Sequence, residues 1–152
     1  MKRKSLFWLP AVVVIAAGWA FLRPQQEAQA QEVIVHKSPS CGCCGKWVEH
    51  MRAAGFTVVV EDTDDLARVK SLFNVPDNLQ SCHTAEIGGY VVEGHVPADA
   101  IQRLLQERPD VKGLAVAGMP LGSPGMDQGG YKQPFNAIAW DEAGTQSAYA
   151  RY

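Results

Sequence analysis

The chain has 152 residues, 47% of them hydrophobic and 20% charged, with 14 basic and 16 acidic side chains and a formal net charge of −2. That length suits one domain with a sizeable core, and the lack of any basic excess argues against nucleic acid as a partner. Four cysteines are the compositional feature that asks for chemistry.

Lys2, Arg3 and Lys4 precede an uncharged, mostly apolar run from Leu6 to Leu22, and Ala28-Gln29-Ala30 is a small-x-small cleavage pattern. This is the order of a bacterial secretory signal, with the cut expected after Ala30. An uncleaved run of 17 residues would approach the span of a bilayer and act as an anchor. Pro10 and the polar stretch from Gln25 to Gln31 favour cleavage. The expected organisation is a signal over residues 1–30 and one domain over 31–152, exported to the periplasm and membrane-bound only if the signal stays uncleaved. Removing residues 1–30 takes away four of the 14 basic and one of the 16 acidic residues, leaving 10 against 15, net −5.

Val33-Ile34-Val35 reads as a buried strand that Pro39 ends. From Cys43 onward Trp47, Val48, Met51 and Ala54 recur at helical spacing until Gly55, with Met51 on the core stripe. Phe56 to Val60 is a second strand rich in β-branched residues, so the first two strands form a βαβ unit with parallel pairing. Asp64 and Asp65 open a second helix carried by Leu66, Val69, Leu72 and Phe73. Thr84–Ile87 and Tyr90–Glu93 flank Gly88-Gly89, a hairpin turn that needs positive φ. Pro97 starts a third helix with Ile101, Leu104 and Leu105 on one face. Gly113 to Gly130 reads as a Gly/Pro-rich loop, and Phe135–Trp140 and Thr145–Tyr152 as a final hairpin. The expected fold is α/β: a thioredoxin-like β-α-β-α-β-β-α domain with an extra Gly/Pro-rich loop and a C-terminal β-hairpin.

Ser40-Cys41-Gly42-Cys43-Cys44-Gly45 puts three cysteines within four residues at a helix N-terminus, where amide groups and the helix dipole favour thiolates. Thiolates exchange disulfides or bind soft metals. Purely structural disulfides fit the spacing poorly: adjacent Cys43 and Cys44 rarely bridge, and a Cys41–Cys44 bond closes too small a loop to staple a fold. In a thioredoxin-like fold Ser81-Cys82-His83-Thr84 approaches the Cys41–Cys44 turn, so Cys82 and His83 join Cys41, Cys43 and Cys44. A dithiol exchanger needs only Cys41 and Cys44, and the extra thiols risk wrong pairing. Four sulfurs at one point suit Cu(I), zinc or an iron–sulfur cluster. Met119 and Met126 lie in a segment with no helical face, and a thioether favours Cu(I) over zinc, although each methionine equally suits packing under a loop. His36 ends the first strand facing the site or solvent, His95 begins the turn into the third helix, where capping or packing competes with ligation, and His50 reads as a solvated position.

The motifs Ser-Pro-Ser-Cys-Gly-Cys-Cys, Ser-Cys-His-Thr-Ala, Glu-Gly-His-Val-Pro and Gly-Met-Pro-Leu-Gly-Ser-Pro-Gly-Met occur here in one order. The chain from Val33 to Tyr152 thereby resembles the CopG-type family of small periplasmic copper-resistance proteins, long treated as a domain of unknown function. The resemblance implies a thioredoxin-like fold and a cysteine-bridged cluster of several copper ions held by Cys41, Cys43, Cys44 and Cys82, with Met119 and neighbouring histidines such as His83 as outer ligands. Ala117 stands where the family pattern suggests proline, which bears on loop stiffness and not on ligation. Copper ions are the expected ligand, with Cu(I) bound several per chain, and periplasmic copper-efflux or copper-chaperone proteins are the expected partners. Binding and sequestration are favoured over copper oxidoreductase activity. The competing readings are a thioredoxin-like thiol–disulfide oxidoreductase and a structural zinc or iron–sulfur domain.

Overall fold

The computed structural model describes residues 32–127 and 129–152; the signal or anchor expected over residues 1–30 lies outside them. Among the described residues no helix is long and apolar enough to cross a membrane.

The described residues begin with strand β1 (Glu32–Lys37), helix α1 (Gly42–Ala53) and strand β2 (Thr57–Asp62), and β1 and β2 pair in parallel as expected. Helix α2 (Leu66–Leu72) follows, capped by the Asp65 side chain, which accepts from the Arg68 N–H at 3.1 Å. A 3₁₀ turn at Asp77–Leu79 leads to the hairpin of β3 (His83–Ile87) and β4 (Tyr90–Gly94). Its two-residue turn has φ of 57° at Gly88 and 90° at Gly89, the left-handed backbone that glycine adopts without strain. Helix α3 (Ala98–Glu107), strand β5 (Gly113–Val116) and the hairpin of β6 (Asn136–Trp140) and β7 (Gln146–Arg151) complete the order.

The seven strands among the described residues form one sheet, ordered β2-β1-β3-β4-β5-β6-β7. Strand β5 corrects the sequence expectation, which put Gly113 inside a loop. It pairs parallel with β4 and antiparallel with β6, and so makes the C-terminal hairpin continuous with the rest of the sheet. All four of its residues are buried, which removes the polar–apolar alternation by which a strand is read.

Val33, Val35, Ala85, Val92 and Leu114 pack one face of the sheet against Trp47, Val48 and Met51 of α1 and Ile101 and Leu104 of α3. The Trp47 indole N–H donates to the Val96 carbonyl at 2.9 Å, which ties α1 to the turn entering α3. The opposite face packs Val91, Ala115 and Trp140 against Val75, Leu79 and Phe73. On α2 the expected stripe is shifted: Leu72 is 69% exposed, while Lys70 is buried. Lys70 follows Leu66 by four residues, so the helical period turns it toward the sheet and carries Leu72 away.

Candidate metal centre

Where β1 ends, the Cys41 N–H bonds back to the Ser38 carbonyl at 3.0 Å, and Cys41 becomes the N-cap of α1. Its sulfur accepts from the Cys44 N–H at 3.3 Å, the role an oxygen usually fills at this position. Cys43 and Cys44 occupy the first turn of the helix. Cys41 and Cys44 are joined as a disulfide, whereas Cys43 and Cys82 are free thiols. The bond spans three residues of sequence, and the entropy gained from so small a loop is slight. It is therefore a redox state of the site and not a staple of the fold. Cys43 Sγ lies 3.5 Å from Cys41 Sγ, and Cys44 Sγ lies 3.7 Å from the Cys82 carbonyl oxygen.

Cys82 arrives just ahead of β3, the strand next to β1. The four cysteine sulfurs all lie within 4.8 Å of one another, and Cys82 with His83 and His95 forms a second group of the same compactness. Cys82 Sγ is 2.8 Å from His95 Nε2 and 3.4 Å from His83 Nδ1. The Pro124 carbonyl, which can only accept, takes the His95 Nδ1–H at 2.7 Å. That places the proton on Nδ1 and leaves the Nε2 lone pair facing Cys82. Both imidazoles are fully buried. Burial lowers the His95 pKa, and it holds that of His83 well below its ordinary value, with His95 and Lys70 adding to the shift. Both rings are therefore neutral donors. His83 Nε2 has no hydrogen-bond partner. Burial, followed by the neighbouring Cys43, pushes the Cys82 thiol up to about 12.

The Gly/Pro-rich loop folds across this point on bonds of its own: Gly122 N–H to the Met126 carbonyl, Met126 N–H to the Ser123 carbonyl, and the buried Ser123 hydroxyl to Pro120. Gly125 crosses α1 so closely that a Cβ there would come within 2.7 Å of the Cys43 carbonyl oxygen. The Ser81 hydroxyl donates to the Gly118 carbonyl and fastens the loop beside Cys82. Met119, next in the chain, is 53% exposed, and Met126 is half-buried.

Two solved structures match the chain closely. They are of "Copper resistance protein copG- Form 2", with TM-score 0.79 and 42% identity over 82% of this chain and 99% of that one, and "Copper resistance protein copG- Form 1", with TM-score 0.78 and 42% identity over 82% and 98%. The chain belongs to the CopG family of copper resistance proteins. A family profile described as "Protein of unknown function, DUF411" matches residues 79–126, the segment that carries Cys82, both buried histidines and the crossing loop. No curated protein matches the chain.

Within this CopG-family chain, Cys41, Cys43, Cys44, Cys82 and His83 come together as the sequence predicts. His95 joins them, the alternative the sequence leaves open beside capping or packing; the turn out of β4 aims its ring at Cys82. The signal was available in part, since His95 directly follows β4, the strand paired with β3. His36 turns elsewhere, between Glu61 at 3.2 Å and Glu86 at 3.4 Å. His50, read as solvated, is half-buried and accepts the Ala98 N–H at 3.1 Å, so it caps α3 from α1. Soft sulfurs and neutral imidazoles form a donor set suited to copper.

Proposed function

We propose that this CopG-family protein is a periplasmic Cu(I)-binding protein of copper resistance that holds more than one copper ion in a cysteine-bridged cluster on a thioredoxin-like domain. The observation that carries this reading is the gathering of four sulfurs and two neutral imidazoles around Cys82. Bridging thiolates let a few sulfurs hold several Cu(I) ions while sharing their charge. Copper is cargo here. The arrangement of β1, α1 and β2 beside the β3–β4 hairpin supports the thioredoxin-like assignment, and the basic–apolar–small order of residues 1–30 supports export. Copper-efflux or copper-chaperone proteins are the partners this role calls for.

Two electrons and two protons from an external dithiol convert the Cys41–Cys44 bond to thiols and complete the four-thiol set. Each Cu(I) then displaces thiol protons, and because burial favours the protonated Cys82 thiol, loading at neutral pH releases a proton there. In the opposite direction, two Cu(II) ions oxidise the Cys41/Cys44 dithiol, giving two Cu(I), the disulfide and two protons released to solvent, a balanced route for redox cycling. Met119, exposed at the rim beside the Ser81–Gly118 contact, serves as an outer soft ligand.

Anaerobic titration of the reduced domain against a Cu(I) chelator tests the reading. The expected ratio is above one copper per chain; a ratio of one or zero overturns the cluster, and zinc retained ahead of Cu(I) moves the assignment to a structural metal. Met119→Leu keeps the volume and loses the donor, so copper affinity should fall while thermal stability stays, with a smaller effect from Met126→Leu. Unchanged affinity returns Met119 to packing. A second reading, thiol–disulfide exchange, is favoured by the Cys41–Cys44 bond at a helix start. Strong insulin reduction by the copper-free protein, unaffected by Cys82→Ser, would put exchange first.

A further inference from the structure

A second cluster of buried polar groups lies behind Cys82, on the α2 face of the sheet. The Glu93 carboxylate, fully buried on β4, receives three hydrogen bonds. Lys70 Nζ donates to Oε1 at 2.5 Å, the Ser81 main-chain N–H donates to Oε1 at 2.6 Å, and the Thr84 hydroxyl donates to Oε2 at 2.7 Å. Lys70 Nζ also donates to Thr84 Oγ1 at 3.1 Å. A buried ion pair of this kind is weak evidence for stability, because apolar replacements of similar volume are often neutral or better. Its position is more telling. Ser81 and Cys82 precede the β3 ladder, which begins pairing with β1 at His83. The strand bonds therefore leave the step carrying the Cys82 sulfur unfixed. Two bonds at Ser81 hold it: the N–H to Glu93 on one side, and the hydroxyl to the Gly118 carbonyl on the other.

We propose that Glu93 is a positioning residue for Cys82: its carboxylate grips the Ser81 N–H and thereby aims the Cys82 sulfur at Cys43 and His95, while Lys70 and Thr84 hold the carboxylate in place. The proposal rests on the reading of Cys82 as a copper ligand. It adds to that reading a device in which no atom touches the metal. The acceptor at Oε1 carries the effect, and the charge of Glu93 is balanced locally by Lys70. An amide oxygen at the same place keeps the grip, whereas a hydrocarbon of similar size loses it.

The test compares two double variants in the full domain, reduced and anaerobic. In Lys70→Met/Glu93→Gln the charges leave together and an acceptor for Ser81 remains; in Lys70→Met/Glu93→Leu they leave together and the acceptor is gone. The expected result is a Cu(I) affinity restored to that of wild type in the Gln variant. In the Leu variant it falls by roughly 10- to 100-fold, the usual cost of losing an outer-shell partner, with similar melting temperatures for the two. A second readout needs no metal: the alkylation rate of Cys82 by iodoacetamide, followed by mass spectrometry, should rise in the Leu variant alone. If the Leu variant does not fold, Ser81→Pro removes the same N–H and leaves the ion pair intact. Gln80 ahead of it already has the extended backbone, φ −61° and ψ 143°, that a following proline requires. Ser81→Ala is its control for the lost hydroxyl. Equal affinity and equal alkylation in both double variants overturn the proposal, as does equal loss in both, which would make charge the cause. Absence of Cu(I) binding by wild type with the alkylation difference intact would overturn the copper reading and leave the positioning of Cys82 standing.

Discussion

Two buried polar clusters meet at the start of β3, and they treat their polar atoms differently. The cluster of Lys70, Glu93, Thr84 and Ser81 is closed, with each side-chain polar atom of its buried members bonded within the cluster. The cluster of Cys43, Cys82, His83 and His95 is open. Two of its thiols are free, and His83 Nε2 is buried with no partner. An unpaired buried donor or acceptor costs about 1–3 kcal/mol. The open cluster bears that cost at His83 Nε2, and the closed one, a strand position away, avoids it. Trp140 Nε1 is the other unpartnered buried atom among the described residues, but it packs within an apolar cluster with Val91 and Ala115 and has no companion donor to make a site.

Cys82→Ser is the hardest blow to the open cluster, because this sulfur belongs to both groups of candidate ligands. Copper stoichiometry should fall, and remaining affinity should drop by more than about 100-fold, the upper end for changes one shell further out; circular dichroism should stay native. Full copper loading by Cys82→Ser would break the comparison. Lys70→Met strikes the closed cluster. It strands the Glu93 carboxylate in the interior and should cost about 3–5 kcal/mol in urea unfolding, most of it recovered when Glu93→Leu is added. A single variant no worse than the double would mean that the cluster does not act as a closed unit.

The smallest effect sharpens the contrast at a half-buried contact. Burial lowers the pKa of His50 from 6.5, although Asp99 and Asp127 pull it upward. The folded state therefore binds fewer protons than the unfolded state between that lowered value and 6.5. Stability rises with pH through this window and is lost as pH falls through it. Protonation of Nε2 also removes the acceptor for the Ala98 N–H. His50→Gln keeps an acceptor that does not titrate, so its melting temperature should fall less than that of wild type between pH 7 and pH 5. The expected difference is under about 1 kcal/mol, the net worth of one hydrogen bond. Parallel pH profiles would show that His50 caps α3 without a proton-linked role.

Much of the architecture was legible because local chemistry and global fold agree. Asp65 signals a cap, Gly88-Gly89 a left-handed turn, and Cys41 to Cys44 a helix start, and each does in the structure what its chemistry suggests. The expected order of elements then put Cys82 and His83 beside the thiol turn from about forty residues away, and Cys82 lies there. What stayed hidden depends on neighbours far along the chain. Strand β5 is buried on both faces and shows no period. His95 looks like any residue at a turn until the path out of β4 turns its ring to Cys82. Lys70 looks like a solvated lysine until Glu93, on a distant strand, gives it a partner.

Gly125 contributes no ligand atom and no hydrogen-bonding side chain, yet its emptiness governs the crossing of the loop over α1. A methyl group there would meet the Cys43 carbonyl oxygen at 2.7 Å and the Trp47 nitrogen at 3.0 Å, both main-chain atoms that cannot yield. The loop would have to lift, and the neighbouring Pro124 carbonyl would lift with it from His95. In a saturation-mutagenesis map, position 125 should read as intolerant as a cysteine of the site, and its phenotype would mimic the loss of a donor nitrogen thirty residues away.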